Sequence, residues 1–205
     1  EVLMNQQDTV VAFSNDDLFV GSLVRLTAPR PEDSAQLANF AGDSSYLTAI
    51  DTDLAVPKTP SDFDRPPSLG NMVEFRVRTR DDDALLGFAA LFNIEWHNRT
   101  GVLAMAIVNP ANRRRGYGSQ TLALLLRYAF EEMNLDRVGL EVISTNEAAV
   151  RLYRRAGFVQ EGLIRRSILR RGKHADKIMM GMLREEWTPA LITDAVTANT
   201  SYTIR

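Results

Sequence analysis

The sequence predicts an α/β domain in which an antiparallel run of strands is followed by alternating strands and helices. Three observations carry this. Residues 72–108 hold three strand-like runs joined by the polar turns Asp81-Asp82-Asp83 and Asn98-Arg99-Thr100-Gly101, the pattern of antiparallel neighbours. Leu122, Leu125, Leu126, Ala129, Phe130 and Met133 then recur at three- and four-residue steps, the period of a helix with one apolar face. Beyond them come a strand at 138–143, a helix at 146–157 and a hairpin over 158–183.

Residues 1–20 show little pattern beyond Val10-Val11-Ala12-Phe13 and read as a tail or an added edge strand. The domain proper is expected over 21–192. Leu23, Arg25 and Thr27 alternate with Val24, Leu26 and Ala28, which predicts a strand over 22–28. Pro31 suits the first position of a helix and Glu32 and Asp33 its positive end, with Leu37, Phe40 and Ala41 as the apolar side. Pro57, Pro60, Pro66 and Pro67 break regular structure, so a short helix at 44–50 and a long loop to 71 are expected; such loops are often functional. In the first strand of the antiparallel run Val73, Phe75 and Val77 alternate with Glu74, Arg76 and Arg78. The run at 102–108 is more uniformly apolar, which predicts a central strand ending at Pro110. Asn146 caps the later helix and Gly157 ends it. The hairpin turns at Arg170-Arg171-Gly172-Lys173, residues 185–191 add a last helical turn, and 193–205 form a polar, Thr-rich tail.

The 205 residues, 45% hydrophobic and 24% charged, can build a core without metals or disulfides. The absence of cysteine excludes disulfides, thiolate metal sites, iron–sulfur clusters and a cysteine nucleophile. With two histidines, His97 and His174, no metal site is expected. No apolar run approaches the roughly 18 residues of a membrane span and no leader pattern is present, so no membrane association and a cytoplasmic location are expected. The net charge of −2 hides an asymmetry: residues 1–100 carry 8 Lys+Arg against 16 Asp+Glu, and residues 101–205 carry 16 against 10. A basic half suits an anionic ligand and an acidic half a cationic one, although solvated surface gives the same pattern. The basic residues Arg165, Arg166, Arg170, Arg171 and Lys173 lack interleaved aromatics and read as hairpin surface rather than a nucleic-acid site.

The central feature is a strand, then Arg113-x-x-Gly116-x-Gly118, then a helix. Two glycines allow close approach of a ligand, and the first helical amides are unpaired donors at the positive end of the dipole. With Arg113, Arg114 and Arg115 this describes a phosphate cradle; a tight turn with solvated arginines is the alternative. A dinucleotide fingerprint needs a third small residue where Thr121 stands and a parallel βαβ array, whereas antiparallel strands precede this loop. A P-loop needs Gly-Lys-Ser/Thr, and Gly172-Lys173 is followed by His174.

Arg113-x-x-Gly116-x-Gly118 resembles the Q/R-x-x-G-x-G/A motif of the GNAT superfamily of acyl-CoA N-acyltransferases, and Asn146 to Phe158 resembles its N-x-x-A-x-x-x-Y-x-x-x-G-F signature. The likeness covers roughly residues 22–187. Leu23-Val24-Arg25-Leu26, Gly42-Asp43 and the closing hairpin with Asp176 are similar to the RimJ/RimL-like branch. The resemblance implies a GNAT-like mixed sheet of about seven mostly antiparallel strands, with 102–108 and 138–143 as a central parallel pair that splays apart, and flanking helices. It implies acetyl-CoA as co-substrate, its diphosphate on the amides of Arg114, Arg115, Gly116, Tyr117, Gly118 and Ser119, with further contacts from Ala106, Ile107, Val108, Arg113, Asn146 and Arg155. It also implies a homodimer and an amine acceptor: a protein N-terminus, a polyamine or another small amine.

Asn146 and Tyr153 are seven residues apart, two helical turns, and so share a face about 10 Å apart along the axis. In the family the tyrosine sits near the sulfur, so Tyr153 is expected to protonate the leaving thiolate. Relatives in this branch often carry a glutamate where Val102 stands. Glu95, just before that strand, is therefore the expected base, with His97 through water, or an amine already neutral, as alternatives. Without cysteine no thiol relay exists, so direct attack in a ternary complex is expected. Val102 also leaves open a catalytically silent acyl-CoA-binding sensor or interaction protein of the same fold.

Overall fold

The computed structural model describes residues 17–42, 56–64 and 68–188. The helix expected at 44–50, much of the loop that follows it, residues 1–16 and the tail from 189 onward lie outside the described residues.

Strands β1 (Val24–Thr27), β2 (Ser68–Leu69), β3 (Met72–Thr79), β4 (Leu85–Glu95), β5 (Thr100–Ile107), β6 (Arg137–Ile143), β7 (Val159–Arg170) and β8 (Lys173–Leu183) form one eight-stranded sheet. Its order is β1-β3-β4-β5-β6-β8-β7, with the two-residue β2 paired on β3. The helices are α1 (Pro31–Ala41), α2 (Tyr117–Arg127) and α3 (Glu147–Arg155). Every strand pair is antiparallel except β5 with β6. This is the mixed sheet with one central parallel pair that the family resemblance implies, and β5 stands in its middle.

The register sorts the side chains into two faces. On one, Val77, Ala89, Leu91 and Leu103 line up across β3, β4 and β5, and Leu140 and Met180 continue the surface across β6 and β8. The buried residues of α2, Leu122 to Leu126, pack on this face, joined by Val150, Tyr153 and Ala156 of α3 and by Phe158. On the other face Glu74, Ala90 and Ala104 stand in one row and Arg76, Phe88 and Ala106 in the next. Here α1 sets Leu37 against Ala106 and Val108, with Phe40, Phe63, Leu85 and Phe88 around them. Arg76 and Arg78, on the polar side of the β3 alternation, are buried on this face: Arg78 donates to Asp33 of α1, and Arg76 donates to Glu74 and to the Phe63 carbonyl at 3.0 Å.

Local departures from the predicted elements have identifiable causes. β1 begins at Val24 rather than at 22, because the Leu23 and Val24 amides donate to the Gln120 side chain at 2.5 and 2.8 Å. The helix predicted through Met133 leaves α geometry at Arg127 and closes with a π turn over Tyr128–Glu132, where the Met133 amide donates to the Tyr128 carbonyl at 3.0 Å. The wider turn accompanies full burial of the adjacent Ala129 and Phe130. The turn expected at 185–191 is a 3₁₀ turn over Arg184–Glu186. In the outer hairpin, Arg171 and Gly172 both have positive φ, 50° and 75°, as a tight two-residue turn requires. Among the described residues no helix is long and apolar enough to cross a membrane, and no group of three or more His, Cys, Asp or Glu side chains could hold a metal ion.

Candidate active site

The site begins where the central pair comes apart. β5 and β6 pair only through Thr100, Gly101 and Val102 with Arg137, Val138 and Gly139. From Leu103 onward β5 is paired only on its β4 side, and from Leu140 onward β6 only on its β8 side. Two strand edges therefore diverge and leave backbone donors and acceptors facing a wedge. Such edges recruit an extended ligand rich in amides, since unpaired backbone groups away from water are costly.

α2 starts at the mouth of this wedge. Asn109 accepts from the Ala111 amide at 2.9 Å and forms the short turn Pro110–Asn112 that redirects the chain out of β5. Arg114 (φ 61°) and Gly116 (φ 81°) then take left-handed backbone conformations, costly for the arginine and natural for the glycine. The three helices differ at their N-termini. In α1 the Asp33 carboxylate accepts from the Arg30 amide at 2.8 Å, and in α3 Asn146 accepts from the Ala149 amide at 3.3 Å. α2 has glycine at its cap, no side-chain cap and no acid in its first turn. Its positive end thus faces outward, flanked by the exposed Arg113, Arg114 and Arg115, with Tyr117, Gly118 and Ser119 half-buried. A Cβ on Gly118 would lie 3.8–3.9 Å from Leu152 of α3 and from Ile107 and Met105 of β5. No protein atom forbids that Cβ; it would instead occupy the mouth of the wedge. The glycine keeps open a space bounded by Leu152, Ile107 and Met105 beside the free amides of the helix start and the exposed arginines, and this fits the start of the pantetheine and the diphosphate of acetyl-CoA.

α3 forms the other wall. Asn146 is its N-cap, and Gly157 (φ 98°) ends it, with the Phe158 amide donating to the Tyr153 carbonyl at 3.0 Å. Tyr153 is buried and meets Phe158 edge-on at 5.7 Å between ring centroids. Burial pushes its hydroxyl up to about 12. Arg155 is exposed one turn beyond Leu152, while Arg154 donates to Gln160 at 3.1 Å.

The structure brings together Ile107, Gly116, Tyr117, Gly118, Ser119 and α3 around the wedge. Ala106 and Val108 turn their side chains to α1, so only their backbone is available on the wedge side. Glu95 stands at the exposed end of β4, paired with Thr100 where β5 and β6 are still joined, and accepts from Asn98 at 2.6 Å. His97 lies in the exposed turn that follows.

The Acetyltransferase (GNAT) family model matches residues 40–158, more than half of the chain. The chain belongs to this family. The SPbeta prophage-derived uncharacterized N-acetyltransferase YokL of Bacillus subtilis is 31% identical over 115 residues, 56% of this chain and 64% of that protein. The spermidine N(1)-acetyltransferase of Vibrio cholerae is 28% identical over 103 residues, 50% of this chain and 59% of that protein. The chain thus spans less than two thirds of the length of either relative. Among solved structures, the spermidine N-acetyltransferase from Vibrio cholerae in complex with CoA and spermine superposes with a TM-score of 0.73 at 21% identity, covering 81% of this chain and 98% of that one. That likeness concerns the fold.

Sequence reasoning passed over Leu152 and Met105, which frame the mouth of the wedge in this GNAT chain, and Gln120. Gln120 is fully buried inside α2; besides accepting from Leu23 and Val24 it donates to Ser22 at 2.7 Å, tying the start of β1 to the helix that follows the glycine loop. The available signal was a glutamine within an apolar helical run.

Proposed function

We propose that this protein is an acetyl-CoA-dependent N-acetyltransferase that moves an acetyl group to a primary amine by direct attack in a ternary complex. The observation that carries the reading is the coincidence of an uncapped, arginine-flanked helix start, a wedge between two strand edges and a buried tyrosine on the adjoining helix. Acetyl-CoA supplies the acetyl group as a thioester. Arg113 to Ser119 would hold its diphosphate, Arg155 a further phosphate, and the edges of β5 and β6 and Asn146 its amides. α2 and α3 cover one face of the sheet, so an amine enters from the other.

Tyr153 acts on the leaving sulfur. With its hydroxyl raised to about 12 it keeps its proton at any physiological pH. A thiol of ordinary pKa near 8.5 is the stronger acid, so Tyr153 stabilises the developing thiolate by a hydrogen bond while keeping its own proton, and the released thiolate takes its proton from solvent. The proton released by the amine goes to Glu95 through water, or to solvent. Protein N-termini, polyamines and other small amines are all within this class; the polyamine reading is supported by the spermidine acetyltransferase relative. A homodimer and a cytoplasmic location belong to the same proposal. For the dimer, support comes from exposed apolar side chains on the outer hairpin, including Val159, Ile164 and Met179. The second reading, a silent acyl-CoA-binding sensor, is favoured by Val102 alone.

The deciding experiment is release of free thiol from acetyl-CoA with a panel of amines, alongside thermal unfolding with and without CoA. Both turnover and a CoA-dependent rise in Tm are expected, the latter from a stabilisation of about 2.7 kcal/mol at 100 times Kd. Gly118→Asp is expected to abolish the rise by setting a carboxylate where the diphosphate lies. A rise in Tm without thiol release for any amine identifies the sensor; an equal rise with NAD defeats the assignment.

A further inference from the structure

On the face opposite α2 and α3, the residues level with the wedge are small or only partly covered. Val102 and Ala104 of β5 are half-buried although they lie mid-sheet, as are Phe88 and Phe92 of β4 and Phe63. Ala90 and Ala104 offer only methyl groups, so a shallow apolar trough runs across the strands. One charged side chain stands at the end of its row. The pairing Glu74 with Ala90, and Ala90 with Ala104, puts Glu74 two strands from β5 and just past the point where β5 parts from β6.

Glu74 is held in an unusual way for a surface carboxylate. One oxygen accepts from the guanidinium of Arg76, whose side chain is fully buried, while the Glu74 side chain is 15% exposed. Among the described residues its second oxygen has no partner. Arg76 is in turn fixed by the Phe63 carbonyl, and its Nε is buried without an acceptor. A buried cation fixed on two sides gives the carboxylate one position and leaves one oxygen open to the trough.

We infer that Glu74 is a specificity-determining residue that receives a second ammonium group of the acceptor, so that the chain selects diamines over monoamines. This rests on the N-acetyltransferase reading for the reacting nitrogen. Side chains of one face stand roughly perpendicular to the sheet, so the carboxylate remains about 10 Å, two strand spacings, from the line of β5. That is too far to take the proton of the attacking amine. It suits a cation a few methylenes away, with the alkyl chain along the Ala90 and Ala104 trough and the near nitrogen at the wedge. Glu74 thus does not stand in as a base for the carboxylate absent at Val102; it serves recognition.

The test is titration of 1,5-diaminopentane and of pentylamine into the full chain saturated with CoA, and steady-state kinetics of the same pair with acetyl-CoA. The wild-type protein is expected to favour the diamine by about 10- to 100-fold, the effect of one charge-assisted contact, and Glu74→Gln to bring the ratio close to one. Because Glu74→Gln leaves Arg76 buried without its carboxylate, the paired variant Glu74→Gln, Arg76→Met is measured too; it should regain thermal stability and still show no diamine preference. A wild-type ratio near one overturns the inference, as does a preference that survives in either variant. If no amine is acetylated, yet the titration shows a diamine preference that Glu74→Gln removes, the cation site stands and the enzyme reading falls.

Discussion

The two faces of the sheet are built from different materials. Toward α2 and α3 the contacts are aliphatic and aromatic side chains, with Thr121 and Gln120 as the buried polar exceptions on the helix. Toward α1 a small apolar patch around Leu37 is accompanied by Asp33, Arg76 and Arg78, all buried. An apolar interface is non-directional and tolerates repacking, so it can support a wedge whose walls must accept a ligand. An ionic interface adds little net stability after desolvation, but it penalises every arrangement in which a charge loses its partner. α1 is therefore fixed in position rather than tightly glued, and it borders the face from which we propose that the acceptor enters.

That contrast is most exposed to test at Asp33. Its carboxylate accepts from Arg78 and from the Arg30 amide at 2.8 Å, with no exposure to water. Asp33→Ala is expected to cost about 3–5 kcal/mol, because Arg78 loses its buried carboxylate and keeps only the Asp83 carbonyl, at 3.0 Å, and a distant Asp83 carboxylate, at 4.0 Å. Truncating a leucine on the other face, Leu91→Ala, lies in a similar range of about 2–5 kcal/mol. The faces differ in rescue. Adding Arg78→Met to Asp33→Ala should return most of the loss, since the uncompensated charge is gone, whereas no charge removal rescues Leu91→Ala. Denaturant unfolding of the three variants reads this directly; a double variant as unstable as Asp33→Ala would mean that the pair contributes by packing rather than by charge.

On the apolar face the informative residue is Tyr153. Tyr153→Phe keeps the ring against Phe158 and removes the hydroxyl, and turnover is expected to fall by about 10- to 1,000-fold with little change in acetyl-CoA affinity. A second readout is independent of catalysis. Below pH 10 the phenol is protonated in both folded and unfolded chains. Between pH 10 and about 12 the unfolded chain loses a proton that the folded one retains, so stability falls with rising pH across that window, by up to about 2.7 kcal/mol. Tyr153→Phe should flatten this alkaline loss. Full turnover in the variant would remove Tyr153 from the chemistry, and an unchanged alkaline limb would mean that the hydroxyl is not held in a dry site.

Much of the frame was legible because local patterns and tertiary structure agree. The two turns that bracket β4, the helical period after Gly116 and the Gly157 stop all follow from spacing and from turn and glycine chemistry. The wedge was legible only through the family motifs: no periodicity tells that β5 and β6 part after three residue pairs. Arg76 and Arg78 show the opposite failure. Alternation puts them on the polar side of β3, and only the arrival of α1 and the Phe63 segment turns that side inward. The same is true of Glu74, whose chemistry depends on a strand partner two places away in the sheet. Gln120 was hidden because a helix pattern registers apolar residues and treats one polar side chain among them as noise.

The smallest effect is expected at Glu95, where the two regions meet least. It stands at the closed end of the sheet, level with Thr100, below the point where the wedge opens, and its carboxylate already accepts from Asn98. A proton from the attacking amine reaches it only through water. Glu95→Gln is therefore expected to lower turnover by less than about tenfold, under the usual range for a general base in direct contact. The pH profile separates the two routes. If Glu95 relays the proton, the variant loses the acidic limb whichever acceptor is used. If the amine arrives neutral, the limb stays and shifts with the acceptor's own basicity. Two amines of different pKa, each measured with the wild-type protein and the variant, decide between them. A loss of a hundredfold or more at constant acetyl-CoA affinity would place Glu95 in direct contact with the amine and require the closed end of the sheet to open during turnover.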